Sequence, residues 1–359
     1  MGIIRVLVVE DSLTTRKYLV DALSRDRQIR VVGEAEDGQT AIELCETLRP
    51  DVVSLDMMLP GLNGLAAAEH IMAYCPTPIL VVSASTNRGE IFKTYDALAA
   101  GAVDVLEKPR EGTATDEWED NYRRTIKMVS RIKVITHPRA RFMNAKPALR
   151  QHRAGPVLDS AGGFRCVALG TSTGGPNAVV QILEGLPASF PLPILLVIHI
   201  GSPFGAALTE WLDGVSSIRV RDVVDGQFMP EVGQPGVILA PPDRHLVLKN
   251  GRLWTTTDPE RHFCRPSVDV LFESLAVALG NSTIACLLTG MGRDGAAGLL
   301  AIKKAGGMTL AQDEASCVVF GMPREAIQLN AAQRVLPLHK IAPTLMQLAQ
   351  VGTGPGSAQ

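Results

Sequence analysis

The sequence has no C-x-x-C pair among its six cysteines, at positions 45, 75, 166, 264, 286 and 317. They sit mostly in apolar stretches, as reduced buried thiols do, which argues against a disulfide framework and points to a cytosolic setting. Charge of one sign is also missing: 35 Lys and Arg stand against 37 Asp and Glu, a formal net charge of -2. That excludes bulk attraction to nucleic acid and leaves only a local basic segment to act alone. No apolar run approaches the roughly 20 residues of a membrane span, so no membrane insertion is expected. The opening MGIIRVLVVEDS is interrupted by Arg5 and closed by two acids, unlike a signal peptide, and Val6 breaks the myristoylation pattern. No long internal repeat is evident. What remains is 359 residues, 46% of them hydrophobic, enough for about two domains with a core each.

Through residues 3–109, compact apolar runs (IIRVLVV, VVGEA, DVVSL, PILVVSA, AVDVLEK) alternate with amphipathic stretches. This alternation predicts a parallel sheet covered by helices on both faces. Residues 122–153 hold many Arg and Lys but no Asp or Glu, with Pro138 and Pro147 among them. They suggest a linker entered through a helix over 121–135. Apolar runs resume at Phe164 as ALGTS, PILLVIHI, GVILAPP, TIACLLTG and MTLAQ, which predicts a second, doubly wound and mainly parallel α/β domain. The expected boundaries are 1–120 for the first domain, 121–163 for the basic linker, 164–349 for the second domain and 350–359 for a disordered Gly-rich tail.

Strand ends in parallel sheets gather chemistry. In the first domain Glu10 and Asp11 follow RVLVV, Asp56 follows VVSL, Ser83 ends PILVVS and Lys108 follows VDVLE. Converging carboxylates can hold a hard divalent cation such as Mg2+, with one of them left to accept a phosphoryl group. Ser83 could donate to a phosphoryl oxygen and Lys108 could neutralise another. Any one of these residues alone is better explained as a cap or a snorkelling lysine; the whole set is not.

In the second domain CVALGTSTGGPNAVV bends from a strand pattern into a helix pattern, with Ser172 at the corner. Its G-x-S-x-G spacing suits a nucleophile lifted above the sheet, although such a corner can also cradle a phosphate or simply pack tightly. It lacks both the later Gly-Lys-Ser/Thr and the G-x-G-x-x-G spacing of phosphate loops. A serine needs a base. His199 ends PILLVIH and Asp294 lies in TGMGRDG after TIACLL, so all three residues fall beyond strand ends of one domain. His199 would accept the Ser172 proton while Asp294 holds the other ring nitrogen. The chain order Ser, His, Asp differs from that of α/β-hydrolases. The glycine-rich turn 289–295 could offer amides to an oxyanion, or be no more than a tight turn. Ser267 and Asp269 suit helix capping at least as well as catalysis.

The first domain resembles the receiver domains of two-component response regulators, a flavodoxin-like fold with a five-stranded parallel sheet. GTSTGGP, APPDRHL, RPSVDVLFESLA, LTGMGRDGAAGL and AQDEASCVVFGMPREA in the second resemble the catalytic domain of chemotaxis protein-glutamate methylesterases. The resemblance implies that Asp56 is the phosphoacceptor, that Met58 lends a backbone carbonyl to the metal alongside Glu10 and Asp11, and that a histidine kinase is the phosphodonor. It implies a Ser172, His199, Asp294 triad with the Met291 amide as oxyanion donor and no cofactor for the hydrolysis. The implied substrates are γ-glutamyl methyl esters of methyl-accepting chemoreceptors, with receptor glutamines as a second substrate. It also implies an inhibitory contact of the receiver on the catalytic domain, relieved by phosphorylation. Two departures stand out. Val105 occupies the usual aromatic switch position, and Ile200-Gly201-Ser202-Pro203 replaces an expected Met-Pro after the histidine. Arg265 could steer an acidic receptor surface. The competing expectation is a phosphorylation-dependent binding protein with an inactive hydrolase domain, whose segment 123–153 contacts an acidic partner or nucleic acid; that segment carries no DNA-recognition motif.

Overall fold

A computed structural model describes residues 2–84, 88–109, 115–132, 134, 163–201 and 204–350. Most of the expected linker, the tail beyond Gln350 and the pair Ser202-Pro203 lie outside the described residues. The chain divides into two units, Met1–Lys146 and Pro147–Gln359. No described helix is long and apolar enough to cross a membrane.

The first unit alternates β1 (Ile4–Val9), α1 (Leu13–Ser24), β2 (Ile29–Ala35), α2 (Gly38–Leu48), β3 (Val52–Leu55), α3 (Gly64–Tyr74), β4 (Ile79–Ser83), α4 (Arg88–Ala99), β5 (Asp104–Glu107) and α5 (Asp116–Val129). Its five strands pair in parallel in the order β2-β1-β3-β4-β5. The central strands are apolar along their length because both faces are covered: Val6 to Val9, Val52, Val53, Leu55 and Ile79 to Val82 are all buried. Side-chain caps fix the helix starts, with Asp37 accepting from the Thr40 amide at 2.9 Å and Asn63 from the Ala66 amide at 2.9 Å. From β1 the chain first winds to β2 and later emerges on the other side at β3. The sheet therefore opens its crevice at the carboxyl ends of β1 and β3.

The boundary at 120 needs correction, because α5 carries the first unit on to Val129. The basic composition of residues 122–129 conceals the second half of an amphipathic helix: Tyr122, Ile126 and Val129 are fully buried, and the Tyr122 hydroxyl donates to Ser54 Oγ at 2.7 Å. Two of the helix's three cations are engaged within the same unit. Arg123 donates to the Ala22 carbonyl at 2.7 Å and pairs with Glu119 and Asp120, while Lys127 pairs with Asp26. The start of the supposed basic linker is thus spent on packing inside the unit.

The second unit runs β6 (Cys166–Thr171), α6 (Gly175–Glu184), β7 (Ile194–Ile198), α7 (Gly205–Val215), β8 (Val220–Asp222), β9 (Gln227–Phe228), β10 (Val237–Leu239), β11 (His245–Lys249), β12 (Arg252–Thr256), α8 (Val268–Leu279), β13 (Thr283–Leu287), α9 (Ala296–Lys304), β14 (Met308–Gln312), α10 (Met322–Gln328), β15 (Arg334–Leu336) and α11 (Leu338–Gln350). Seven strands pair in parallel as β15-β14-β13-β6-β7-β10-β8. A separate antiparallel sheet, β11-β12-β9, is an addition that the apolar runs did not predict. Alternate residues of the central strands (Cys166, Ala168, Leu195, Val197, Ala285 and Leu287) pack with Val268, Leu271 and Phe272 of α8 and Leu299 of α9. On β6 this packing demands Gly170, since a Cβ there would lie 2.2 Å from Val268 Cγ1. The winding direction reverses between β6 and β13, and the ends of β6, β7 and β13 lie side by side.

Candidate functional site

In the first unit the five expected side chains come from the ends of four strands. Glu10, Asp11 and Asp56 present carboxylate oxygens within 4.8 Å of one another, a grouping able to hold a cation. Lys108 Nζ lies 2.6 Å from Glu10 Oε2 and 2.9 Å from Asp56 Oδ2. Burial pushes the Glu10 carboxyl above its ordinary range despite Lys108. Burial pulls the Lys108 ammonium down, but the charges of Asp56 and Glu10 outweigh it and leave its pKa raised. Asp56 Oδ1 accepts from the Met57 amide at 2.7 Å. Ser83 Oγ, at the end of β4, is buried without a hydrogen-bond partner among the described residues. The Met57 carbonyl accepts from the Gly64 amide at 3.2 Å, whereas the Met58 carbonyl has no donor among the described residues. Three oxygen-bearing acids, a free carbonyl and an orphaned hydroxyl fit a hard divalent cation with an anionic oxygen group beside it. Val105, half-buried on β5, brings no hydrogen-bonding side chain to this pocket.

In the second unit, β6 delivers Ser172 to a corner built by close backbone contacts. The Ser172 amide donates to the Thr289 carbonyl at 3.1 Å and its carbonyl accepts from Gly175 at 2.7 Å. Gly174 takes φ +78°, a left-handed conformation suited to glycine, and Pro176 occupies the first turn of α6. Gly290 lies so near that a Cβ would fall 2.8 Å from Ser172 Cβ and 2.3 Å from Met322 Sδ. The next amide, that of Met291, has no acceptor among the described residues, and the Met291 side chain is exposed.

His199 follows β7, its amide donating to the Thr171 carbonyl at 3.0 Å, and its Nε2 lies 2.8 Å from Asp294 Oδ2. Asp294 is only 2% exposed. It is held at the start of α8, accepting from Ser267 Oγ at 2.7 Å, the Val268 amide at 2.7 Å and the Asp269 amide at 3.1 Å. Free amides at a helix start favour an anion there. Burial would raise the Asp294 pKa, yet the hydrogen bonds from His199, Ser267 and Val268 hold it below its ordinary value. Burial lowers that of His199, but the bonds to Asp294 and Cys264 prevail and push it up to about 9.

The structure thus joins His199 to Asp294 and sets Ser172 on the strand beside His199. It does not bond Ser172 to the ring: Ser172 Oγ has no hydrogen bond among the described residues, and His199 Nδ1 faces Cys264 Sγ at 3.6 Å. Cys264 went unnoticed in the sequence because its partner is 65 residues away; its place directly before RPSVDV was the one available signal. Ser267 caps α8, as expected, through the Val270 amide at 3.4 Å, and also anchors Asp294. Asp269 holds α9 through the Gly298 amide at 2.6 Å. Arg265 is tied to the carbonyls of Asp258 at 3.2 Å and Thr257 at 3.5 Å.

Comparison with known proteins places these two sites in context. The family described as CheB methylesterase matches residues 167–345, and that of the response regulator receiver domain matches residues 6–115. The chain is similar to the protein-glutamate methylesterase/protein-glutamine glutaminase of Nitrosospira multiformis, 42% identical over 350 residues that span 96% of this chain and 97% of that protein. It is equally similar to protein-glutamate methylesterase/protein-glutamine glutaminase 2 of Pseudomonas aeruginosa, 42% identical over 353 residues, 96% of this chain and 97% of the other. Among solved structures, the crystal structure of the Thermotoga maritima CheB methylesterase catalytic domain covers 52% of this chain and 98% of its own, at 37% identity and a TM-score of 0.49.

Proposed function

Because the chain belongs to the family of receiver-linked CheB methylesterases, we propose that it is a protein-glutamate methylesterase and protein-glutamine glutaminase, acting on chemoreceptors in the cytoplasm under control of phosphorylation at Asp56. The observation that carries this reading is the 2.8 Å bond between His199 Nε2 and Asp294 Oδ2, at strand ends beside the one that delivers Ser172. Asp294 holds the Nε2 proton, which leaves Nδ1 as the base. A turn of the imidazole away from Cys264 lets Nδ1 take the Ser172 proton as Oγ attacks the γ-carbonyl of a methylated glutamate. The free Met291 amide donates to the oxyanion. Collapse expels methanol, or ammonia from a glutamine, with the proton returned by His199; water then repeats the sequence and releases glutamate.

In the receiver, Glu10, Asp11, Asp56 and the Met58 carbonyl would hold Mg2+. The ion, when bound, offsets the charge of the incoming phosphoryl group. Asp56 accepts that group from a histidine kinase, while Lys108 and the unpartnered Ser83 hydroxyl bind its oxygens. Phosphorylation raises esterase output by relieving an inhibitory contact of the receiver on the catalytic domain, through differential stabilisation of two states. The binding-protein alternative is not favoured: the acid–base pair is assembled, and Arg123 and Lys127 are occupied within the first unit.

Mass spectrometry of methylated receptor peptides incubated with the full chain tests this reading. Loss of the methyl group at identified glutamates is expected, faster with a small-molecule phosphodonor, and the acceleration disappears in Asp56→Asn. Intact methyl esters throughout would reject the activity, and equal rates with and without phosphodonor would reject the control. The pH profile should follow the His199 ring. With its pKa at about 9, the imidazole is mostly protonated at neutral pH and gains base function on alkalisation. Initial ester hydrolysis should therefore climb about tenfold per pH unit below that value and level off above it; a profile flat from pH 6 to about 9 would exclude His199 as the base.

A further inference from the structure

Cys264 supplies neither the nucleophile nor the proton acceptor of the hydrolysis, yet its thiol faces His199. Cys264 stands at the end of a tight turn in which Arg261 and Cys264 exchange backbone hydrogen bonds of 3.2 and 2.9 Å. The two residues between them, His262 and Phe263, both take left-handed φ values of 54° and 62°. Neither is a glycine, so the turn is held against the ordinary backbone preference of both residues. His262 is fixed from outside by Asp269 at 3.2 Å and by Arg293 Nε, which donates to its Nδ1 at 3.2 Å. The result is a thiol placed 3.6 Å from the one imidazole nitrogen that Asp294 leaves free.

That distance has a meaning in coordination chemistry. Two donors bound to one tetrahedral ion, with Zn–S near 2.3 Å and Zn–N near 2.05 Å, lie about 3.5–3.6 Å apart. The back of the ring is prepared in the same sense. Its Nε2 proton goes to a carboxylate, the arrangement that fixes the tautomer and sharpens the basicity of metal-bound histidines. Donor atoms of His199, Cys264 and Asp294 all fall within 4.8 Å of one another. A sulfur and an imidazole nitrogen select Zn2+ and its neighbours over Mg2+ or Ca2+.

We propose that Cys264 and His199 form an inhibitory site for a Zn2+-class cation at the esterase centre. Binding at neutral pH releases two protons to solvent, that of Cys264 Sγ and that of the imidazolium Nδ1, and forms one bond to the thiolate and one to Nδ1. The other proton stays on Nε2, donated to the Asp294 carboxylate, and the remaining positions on the ion go to water. The ion takes the lone pair that would receive the Ser172 proton, so the hydrolase stops until the metal is withdrawn. The metal site stands on geometry alone; its inhibitory consequence rests on the function proposed above.

The test uses the full chain with ZnCl2 and CoCl2, and MgCl2 as control. Zn2+ should slow ester hydrolysis at least about tenfold, with recovery on EDTA. In Cys264→Ser and Cys264→Ala this inhibition should vanish, each protein being compared with its own metal-free rate. Co2+ should give the wild type a sulfur-to-cobalt charge-transfer band that both variants lack and Asp56→Asn keeps. Zn2+, but not Mg2+, should protect Cys264 of the wild type from alkylation by iodoacetamide, read on its peptide by mass spectrometry, a result independent of how the variants fold. Unprotected Cys264, or a cobalt band that survives both substitutions, would overturn the site. Protection and a band without loss of esterase rate would overturn the inhibition and keep the site. A chain with no esterase activity at all would reject the functional reading, and the band and the protection would still decide the metal site.

Discussion

Replacing Ser172 by Ala is expected to reduce ester hydrolysis by roughly 10^4- to 10^6-fold, the range seen when a serine nucleophile is removed from an assembled triad. The loss should fall on turnover, because the amide donors and the acid–base pair remain. It should also leave folding intact. What binds residue 172 to its surroundings is the main chain, through the Thr289 carbonyl at 3.1 Å and the Gly175 amide at 2.7 Å. The hydroxyl has no hydrogen bond among the described residues, so its removal leaves no buried group unpaired. Initial rates on a methylated receptor peptide, read beside a thermal melt, separate the two effects. Retention of more than about a tenth of the wild-type rate with an unchanged melt would place the nucleophile elsewhere.

Asp294→Asn should do damage of both kinds. The carboxylate accepts from the His199 ring, Ser267 Oγ and the amides of Val268 and Asp269. An amide has one acceptor oxygen, and its NH2 points donors at donors. At least one of these buried partners loses its acceptor, at about 1–3 kcal/mol each, so the midpoint of thermal unfolding should drop. The imidazole also loses the group that kept its proton on Nε2, and a wrong tautomer of this kind costs about 10^4 in rate. Ser267→Ala is the informative companion: it removes one donor to the same carboxylate and leaves the ring contact in place. Its melt should shift less and its rate should stay within about a hundredfold of wild type. An Asp294→Asn protein that melts and turns over like the parent would detach Asp294 from both roles.

The sequence displayed some of this directly and hid the rest for identifiable reasons. Ile4–Val9, Val52–Leu55 and Cys166–Thr171 are near-continuous apolar runs, and that is how strands buried on both faces must read. Glu10, Asp56, Ser172 and His199 were found because each directly follows such a run, and Asp294 because its glycine-rich turn follows one. Short edge strands were not: Val220–Asp222 and Arg334–Leu336 have three residues each and expose charged side chains, too little pattern for a period to register. Helix α5 was partly mistaken for linker because its arginines and lysine outweighed Tyr122, Ile126 and Val129 in composition, whereas spacing alone marks its buried face. Contacts between distant segments left no trace in any window. Cys264 on His199 and Ser267 on Asp294 join residues 65 and 27 apart, and only the folded sheet brings them together.

Gly170 lacks a side chain where Val268 fills the space that one would need. The consequence is mechanical. The strand that carries the nucleophile and the helix whose first amides seat the distant acid touch without an intervening layer, so they move as one casting. Any slippage of that helix along the strand would displace both ends of the relay together, and a designer wishing to loosen one would have to recast the other.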